Sequence, residues 1–105
     1  MKRTLELITS FSDDETENIY NGINTKKARQ RLSQTLWEKA TTKLDMLNKA
    51  FRLEDLKIPP NNRLEKLSGD LAGKYSIRIN DQYRIVFKWD ADKREASEIK
   101  ITDYH

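Results

Sequence analysis

The chain has 105 residues and a formal net charge of +3, and hydrophobic and charged residues make up 36% and 35% of it. This composition predicts one domain, residues 1–105, with a small core and a heavily charged surface. With no cysteine, one histidine and no apolar run of about 18 residues, we expect no disulfide framework, metal site, cofactor loop or membrane span, and a cytoplasmic location.

The N-terminal half predicts a short strand followed by two helices. The strand, which includes Leu5, Leu7 and Ile8, is closed by Ser12, the predicted N-cap of a short helix that ends at Asn21-Gly22. A longer helix begins near Thr25, because apolar residues then recur every three or four positions. This core stripe comprises Ala28, Leu32, Leu36, Ala40, Leu44, Leu47 and Phe51.

Cations are concentrated on the charged face of the predicted long helix. They are Lys26, Lys27, Arg29, Arg31, Lys39, Lys43 and Lys49, against only Glu38 and Asp45 in the same stretch. Such asymmetry favours an anionic partner, with nucleic acid first, and makes Lys26, Lys27, Arg29 and Arg31 candidate RNA contacts. The alternative is a solvated helix surface.

The C-terminal half changes to alternating apolar and polar residues. Leu53, Leu56 and Ile58 form a short packed connection, and Pro59-Pro60-Asn61-Asn62 ends helical structure. The segments that follow alternate in strand fashion, which predicts an antiparallel meander with one buried face. The apolar positions are Tyr75, Ile77, Ile79, Tyr83, Ile85, Phe87, Trp89, Ile99 and Ile101.

The register of the central hairpin depends on its loop length. A two-residue loop, Asn80-Asp81, would place Ile77 opposite Arg84, a core residue opposite a charge on the same sheet face. A three-residue loop that extends to Gln82, with a left-handed Asn or Asp, pairs Ile77 with Ile85 instead. The alternation therefore favours the three-residue loop.

This register makes Arg78 and Arg84 direct neighbours on the face opposite the core. Like charges that oppose each other in a sheet are unfavourable, so an anion between them would explain the pair. Two guanidinium forks suit phosphate oxygens. The alternative is two arginines extended into water and neutralised by Asp81 or Glu98.

The final tripeptide, Asp103-Tyr104-His105, contains the only histidine of the sequence. A solvated tail is one interpretation. The other is a catalytic group that cleaves a phosphodiester with the arginines and without metal. Strand alternation places Tyr104 on the arginine face but Asp103 and His105 on the core side. This conflict disappears if the strand extends past the core, twists or bulges.

The second half of the sequence also carries a family pattern. Residues 59–89 include the run Tyr-Ser-Ile-Arg-Ile-Asn-Asp-Gln-Tyr-Arg-Ile, and the chain closes on Asp-Tyr-His. With these motifs it resembles the HigB-type branch of the RelE toxin superfamily over roughly residues 7–105, with residues 1–6 as an N-terminal extension. The resemblance implies an α+β, RelE-like fold, in which an N-terminal strand and two helices pack on one face of a small, mainly antiparallel sheet.

The resemblance also implies a function and partners. Such toxins are mRNA endonucleases that enter the A site of the 70S ribosome and make the 2′-hydroxyl attack the adjacent phosphate. A HigA-type helix-turn-helix antitoxin neutralises them, and operator DNA is bound only through that complex. Matched by position, Arg84 would stabilise the transition-state phosphate, with Arg78 close by. Asp103, Tyr104 and His105 would form the catalytic C-terminus, with His105 or Tyr104 as acid or base.

One segment departs from the family pattern. Where many relatives have Arg-Leu-His-Pro-Leu-Lys-Gly, this chain has Glu65 in place of the histidine and Ser68 in place of the lysine. Glu65 is a candidate general base that also repels mRNA phosphates, and Lys66, a candidate phosphate contact, points to the opposite strand face. Two alternatives to an active nuclease therefore stay open: a weak or inactive toxin-like module that binds ribosome or antitoxin, and a small basic RNA-binding protein unrelated to toxins.

Overall fold

The computed structural model describes residues 8–103, in which the helices pack on one face of a four-stranded antiparallel sheet. The elements, with the strands in spatial order β1-β2-β3-β4, are α1 (Asp14–Asn21), α2 (Lys26–Arg31), α3 (Trp37–Lys49), β1 (Glu65–Lys66), β2 (Lys74–Arg78), β3 (Tyr83–Asp90) and β4 (Glu95–Asp103). This is the predicted α+β architecture. Within the described residues, no helix is both long and apolar enough to cross a membrane.

The predicted N-terminal strand is visible in part. Ile8 and Phe11 form isolated parallel bridges with β4, so this segment extends the sheet on the side away from β3. Leu5 and Leu7 lie outside the described residues. The sheet is therefore mainly antiparallel, as expected, with a parallel contact at one edge.

Helix α1 begins one residue later than predicted. Asp13, not Ser12, is the N-cap, and its carboxylate accepts a hydrogen bond from the Thr16 amide at 2.9 Å. The helix ends as predicted at Gly22, whose φ of 73° is the left-handed conformation that glycine adopts without a Cβ penalty. The predicted cap of the next helix is also confirmed, because the Thr25 side chain accepts from the backbone three residues on.

The single long helix predicted from Thr25 is wrong. The chain leaves the helical conformation at Leu32 (φ −149°, ψ 128°) and starts α3 at Trp37. The Trp37 indole donates to the Leu32 carbonyl at 2.8 Å, which satisfies an acceptor that the break would leave unpaired. The prediction that Phe51 belongs to the core stripe is also wrong, because this residue is 60% exposed. The Arg94 guanidinium lies over the Phe51 ring, 4.4 Å from the ring centroid.

The connection between α3 and the sheet is partly as predicted. Leu56 is buried, whereas Ile58 is 76% exposed. The Pro-Pro-Asn-Asn run does not end all helical structure, because Pro60–Asn62 forms a 3₁₀ turn. The fully buried Asn62 amide donates to the carbonyls of Leu56 (3.1 Å) and Ile58 (3.5 Å), and this holds the turn against the core.

The central hairpin has the three-residue loop and the register that the alternation favoured. Ile77 pairs with Ile85, and both are fully buried. The prediction of a left-handed residue in this loop is wrong, since none of the three loop residues has positive φ. Instead, the Asn80 side chain accepts from the amides of Gln82 (2.9 Å) and Tyr83 (2.7 Å), so a side-chain acceptor closes the turn.

Candidate active site

Arg84 lies on the sheet face opposite the core, with only 9% of the residue exposed. Its Nε donates to Ser76 Oγ at 2.8 Å, and its Nη2 donates to the carbonyls of Arg63 (2.5 Å) and Ser76 (3.4 Å). These acceptors are neutral oxygens, so they orient the guanidinium plane without cancelling its charge. A cation fixed in this way can stabilise negative charge that develops on a phosphate.

The Arg63 carbonyl is positioned by the 3₁₀ turn before it. Arg63 is left-handed (φ 45°, ψ 59°), which turns the chain from Asn62 into β1. Asn62 accepts a hydrogen bond from the Lys43 ammonium of α3, and Lys43 is itself only 6% exposed. Burial lowers the pKa of the Lys43 ammonium below its ordinary 10.5. Helix α3 thus supports Arg84 through a buried polar chain.

Glu65 shares the sheet face of Arg84. In β1 it pairs with Ser76, and its Oε2 lies 3.9 Å from Arg84 Nη2. About half of the Glu65 side chain is exposed, so its carboxylate can contact both Arg84 and a ligand. Lys66 pairs with Tyr75 and therefore points to the other face, as the alternation predicted. In residues 8–103, no group of three His, Cys, Asp or Glu side chains could hold a metal ion.

Arg78 lies directly opposite Arg84, as the hairpin register predicted. Its guanidinium forms an ion pair with Asp81, and the hydrogen bond from Arg78 holds the pKa of that carboxyl below its usual range. Glu98, the other acid expected near the arginines, instead pairs with Lys88 at 2.9 Å. The two arginines therefore differ: Arg84 is buried, donates to neutral acceptors and has Glu65 at 3.9 Å, whereas Arg78 is more exposed and donates directly to a carboxylate.

At the end of β4 the parity conflict is removed for Asp103, because this residue is exposed. Thr102 lies opposite Arg84 on the polar face, and Asp103 lies opposite Tyr83 on the core side. Asp103 is nevertheless exposed, and it accepts a hydrogen bond from the Gln82 side chain at 3.0 Å. The alternation was therefore correct, but the core ends before this position.

A β-bulge in the same strand leaves this parity unchanged. The register shifts between Val86 and Lys88, next to Glu98, which has a left-handed φ of 50°. The bulge precedes the Thr102 pairing, so Asp103 keeps the same parity as Ile99 and Ile101. Tyr104 and His105 lie outside the described residues, and their catalytic roles stay predictions.

The prediction of an exposed basic face along one long helix is wrong. Lys26, Lys27 and Arg29 are exposed on α2, but Lys43 is buried in α3. Arg31 is used by the fold: its Nη1 donates to the N-cap carboxylate of α1 at 2.5 Å and to a β4 carbonyl at 3.0 Å. The exposed cations of α2 thus form a smaller patch than predicted.

Sequence reasoning missed the residues that hold Arg84. Ser76 had a usable signal, because it lies two residues before Arg78 and the alternation places it on the same face. No sequence pattern pointed to Arg63 or Asn62. Arg63 contributes a backbone carbonyl, and Asn62 acts through a turn that the proline run did not predict.

Comparison with known proteins places the chain in a family. A family model described as the RelE-like toxin of the type II toxin–antitoxin system HigB matches residues 9–105. Toxin HigB-1 of Vibrio cholerae serotype O1 is 42% identical over 80 residues, which are 75% of this chain and 80% of that protein. An uncharacterized Haemophilus influenzae protein is 34% identical over 80 residues, 76% of each chain.

A solved structure shows the same fold. The YoeB/ParE toxin from Agrobacterium tumefaciens superposes with a TM-score of 0.53 at 21% identity, covering 97% of this chain and all of that one. The fold, together with the family model, is thus that of a small RelE-like toxin. The chain belongs to the HigB-like toxin family of type II toxin–antitoxin systems. This excludes the alternative of a basic RNA-binding protein unrelated to toxins.

Proposed function

We propose that this toxin is a metal-independent, ribosome-dependent mRNA endonuclease, or mRNA interferase. The observation that carries the proposal is Arg84, a guanidinium oriented by neutral acceptors on the sheet face opposite the core. Such a preorganised cation stabilises a charged phosphoryl transition state without having to reorganise during the reaction. Membership of the HigB-like family supports RNA as the substrate.

The proposed reaction is attack of an mRNA 2′-hydroxyl on the adjacent phosphate. The new O2′–P bond forms as the P–O5′ bond breaks, which leaves a 2′,3′-cyclic phosphate and a 5′-hydroxyl. A general base takes the 2′-hydroxyl proton, and a general acid protonates the leaving 5′ oxygen. Arg84 stabilises the phosphoryl charge, and Glu65, His105 and Tyr104 are the candidates for proton transfer. Asp103 completes the C-terminal group that the family resemblance implies.

The proposed partners follow from the same family. A HigA-type helix-turn-helix antitoxin would neutralise the toxin, and operator DNA would be bound only through that complex. In the cytoplasm, the exposed cations Lys26, Lys27 and Arg29 would contact ribosomal RNA phosphates around the A site. Arg31 contributes less to this surface than the sequence suggested, because it is bonded within the fold.

A second candidate is a toxin that binds ribosome and antitoxin but cleaves weakly or not at all. The position of Glu65 favours it, since a carboxylate 3.9 Å from Arg84 competes with RNA phosphate for the same cation. This candidate predicts growth inhibition without new mRNA ends.

Primer extension of a cellular mRNA after toxin induction tests the proposal. Wild type should produce new ends within translated regions, and deletion of His105 should abolish them. Co-purification with the antitoxin would show that the deletion variant is folded. Ends that persist in the deletion variant would contradict the catalytic role of the C-terminus, and growth inhibition without ends in wild type would favour the binding-only candidate.

A further inference from the structure

An open cleft of about 350 Å³ lies between the 3₁₀ turn that follows α3 and the ends of β2 and β3. Its walls are mainly aromatic: Tyr75 and Trp89 are half-buried at the margin of the core, and Phe51 is 60% exposed. Trp89 pairs with the fully buried Ala96, which places it on the core side of the sheet. This aromatic cleft is therefore separate from the face that carries Arg84.

The exposed position of Phe51 is fixed by its backbone. The amides of Phe51 and Arg52 both donate to the Asp55 carboxylate at 3.0 Å, which anchors the start of the 3₁₀ turn. The Arg94 guanidinium then covers one side of the Phe51 ring. An aromatic side chain that is already held in place loses little conformational entropy when a partner binds, so it suits the role of an interface anchor.

Arg94 occupies a backbone position that favours glycine or asparagine. It is the last residue of the loop between β3 and β4, and its φ is 57°. This left-handed conformation is disfavoured for a long side chain. Among the ion pairs of residues 8–103, Arg94 has no carboxylate partner. The strained position therefore presents a cation beside the aromatic cleft, and such strain is typical of functional sites.

The chemistry of the aromatic cleft suits a protein segment better than RNA. Glu54 lines the cleft, and Asp90 and Asp92 lie at the adjoining end of the hairpin, so three carboxylates would repel phosphates. Aromatic rings and arginine are enriched at the centres of protein–protein interfaces. The aromatic walls fit an apolar side chain, and Arg94 fits a carboxylate next to it.

We propose that the aromatic cleft is a docking site for the antitoxin, which inserts an apolar side chain beside Phe51 and Trp89 and pairs a carboxylate with Arg94. The inference rests on the antitoxin partner of the proposed function and deepens it by locating a contact. It does not depend on RNA cleavage.

The affinity of the full-length toxin for its cognate antitoxin, measured by isothermal titration calorimetry, tests this docking site. Phe51→Ser should weaken binding about tenfold or more, as expected when an interface anchor is truncated. Ile23→Ser is the matched control, because Ile23 is 48% exposed and lies outside the cleft, between α1 and α2. The control should leave the affinity nearly unchanged.

Arg94→Asn separates binding from folding. Asparagine tolerates the left-handed backbone, so the urea unfolding midpoint should stay the same or rise. The antitoxin affinity should nevertheless fall about five- to tenfold. Lys93→Asn makes the same charge change one residue earlier, at a side chain that does not line the cleft, and should bind as wild type does.

Three outcomes would overturn the docking site. Equal antitoxin affinities for wild type, Phe51→Ser and Arg94→Asn would remove it and leave the antitoxin partnership standing. A wild-type protein that does not bind the antitoxin would remove the partnership as well. Weaker binding of single-stranded RNA by Phe51→Ser, with unchanged antitoxin affinity, would assign the cleft to RNA instead.

Discussion

Ser76 is predicted to control activity through Arg84, although Ser76 itself is fully buried. Ser76→Ala removes the Oγ that accepts from Arg84 Nε at 2.8 Å, and leaves the guanidinium held through Nη2 by the carbonyls of Arg63 and Ser76. A hydrogen bond from a charged donor contributes about 1.5–3 kcal/mol, and we expect the unfolding free energy to fall by that amount. The guanidinium can then rotate about its remaining bonds, so the cleavage rate should fall about 10- to 100-fold. This loss is smaller than the one expected when a transition-state donor is deleted outright.

Two assays separate this role from general destabilisation. Urea unfolding, followed by tryptophan fluorescence, gives the stability of wild type, Ser76→Ala, Arg84→Lys and the double variant. Single-turnover cleavage of ribosome-bound mRNA gives the activity where each variant is folded. Ser97→Ala, a partly exposed serine paired with Lys88, is the control and should change neither quantity appreciably. Additive stability losses in the double variant, or full cleavage by Ser76→Ala, would refute the positioning argument.

Three further predictions concern other parts of the molecule. Glu65→His should raise the rate of mRNA cleavage by up to about 100-fold, because it replaces a carboxylate beside Arg84 with an acid–base group; a slower variant in the single-turnover assay would identify Glu65 as the base. Partial burial alone would raise the pKa of Asp13, but the hydrogen bond from Arg31 keeps it below 3.8. Asp13→Asn, which retains the cap, should therefore cost about 0.5–1 kcal/mol at neutral pH. The difference from wild type should vanish in denaturant titrations as the pH falls through the folded-state pKa, and a pH-independent difference would contradict this. Gly22→Ala should lower the unfolding free energy by about 1 kcal/mol, because alanine strains the left-handed cap; an unchanged midpoint would show that the cap adjusts.

The sheet was predictable because its alternation leaves few registers that bury one face. Pairing Ile77 with Ile85 fixed Arg78 opposite Arg84, and the structure has both pairs. The same alternation also placed Asp103 correctly on the core side. Sequence alone did not show where the core ends, since that depends on how far the helices extend over the sheet.

The helices were predicted less well, because apolar periodicity does not reveal an interruption when the residues before and after it still face the same core. Leu32 and the apolar residues of α3 reach the same core on both sides of the interruption. The Trp37 indole that stabilises the break acts across five residues and has no pattern of its own. The burial of Lys43 was not predicted either. Its hydrogen-bond partner Asn62 lies in a turn that only tertiary packing defines.

The direct test of Arg84 as the transition-state cation is in vitro cleavage of ribosome-bound mRNA by wild type and Arg84→Gln, with the product ends analysed. The account predicts fragments that end in a 2′,3′-cyclic phosphate and a 5′-hydroxyl for wild type, and a rate at least about 100-fold lower for the variant. Cleavage by Arg84→Gln at the wild-type rate, or fragments without the cyclic phosphate, would contradict it.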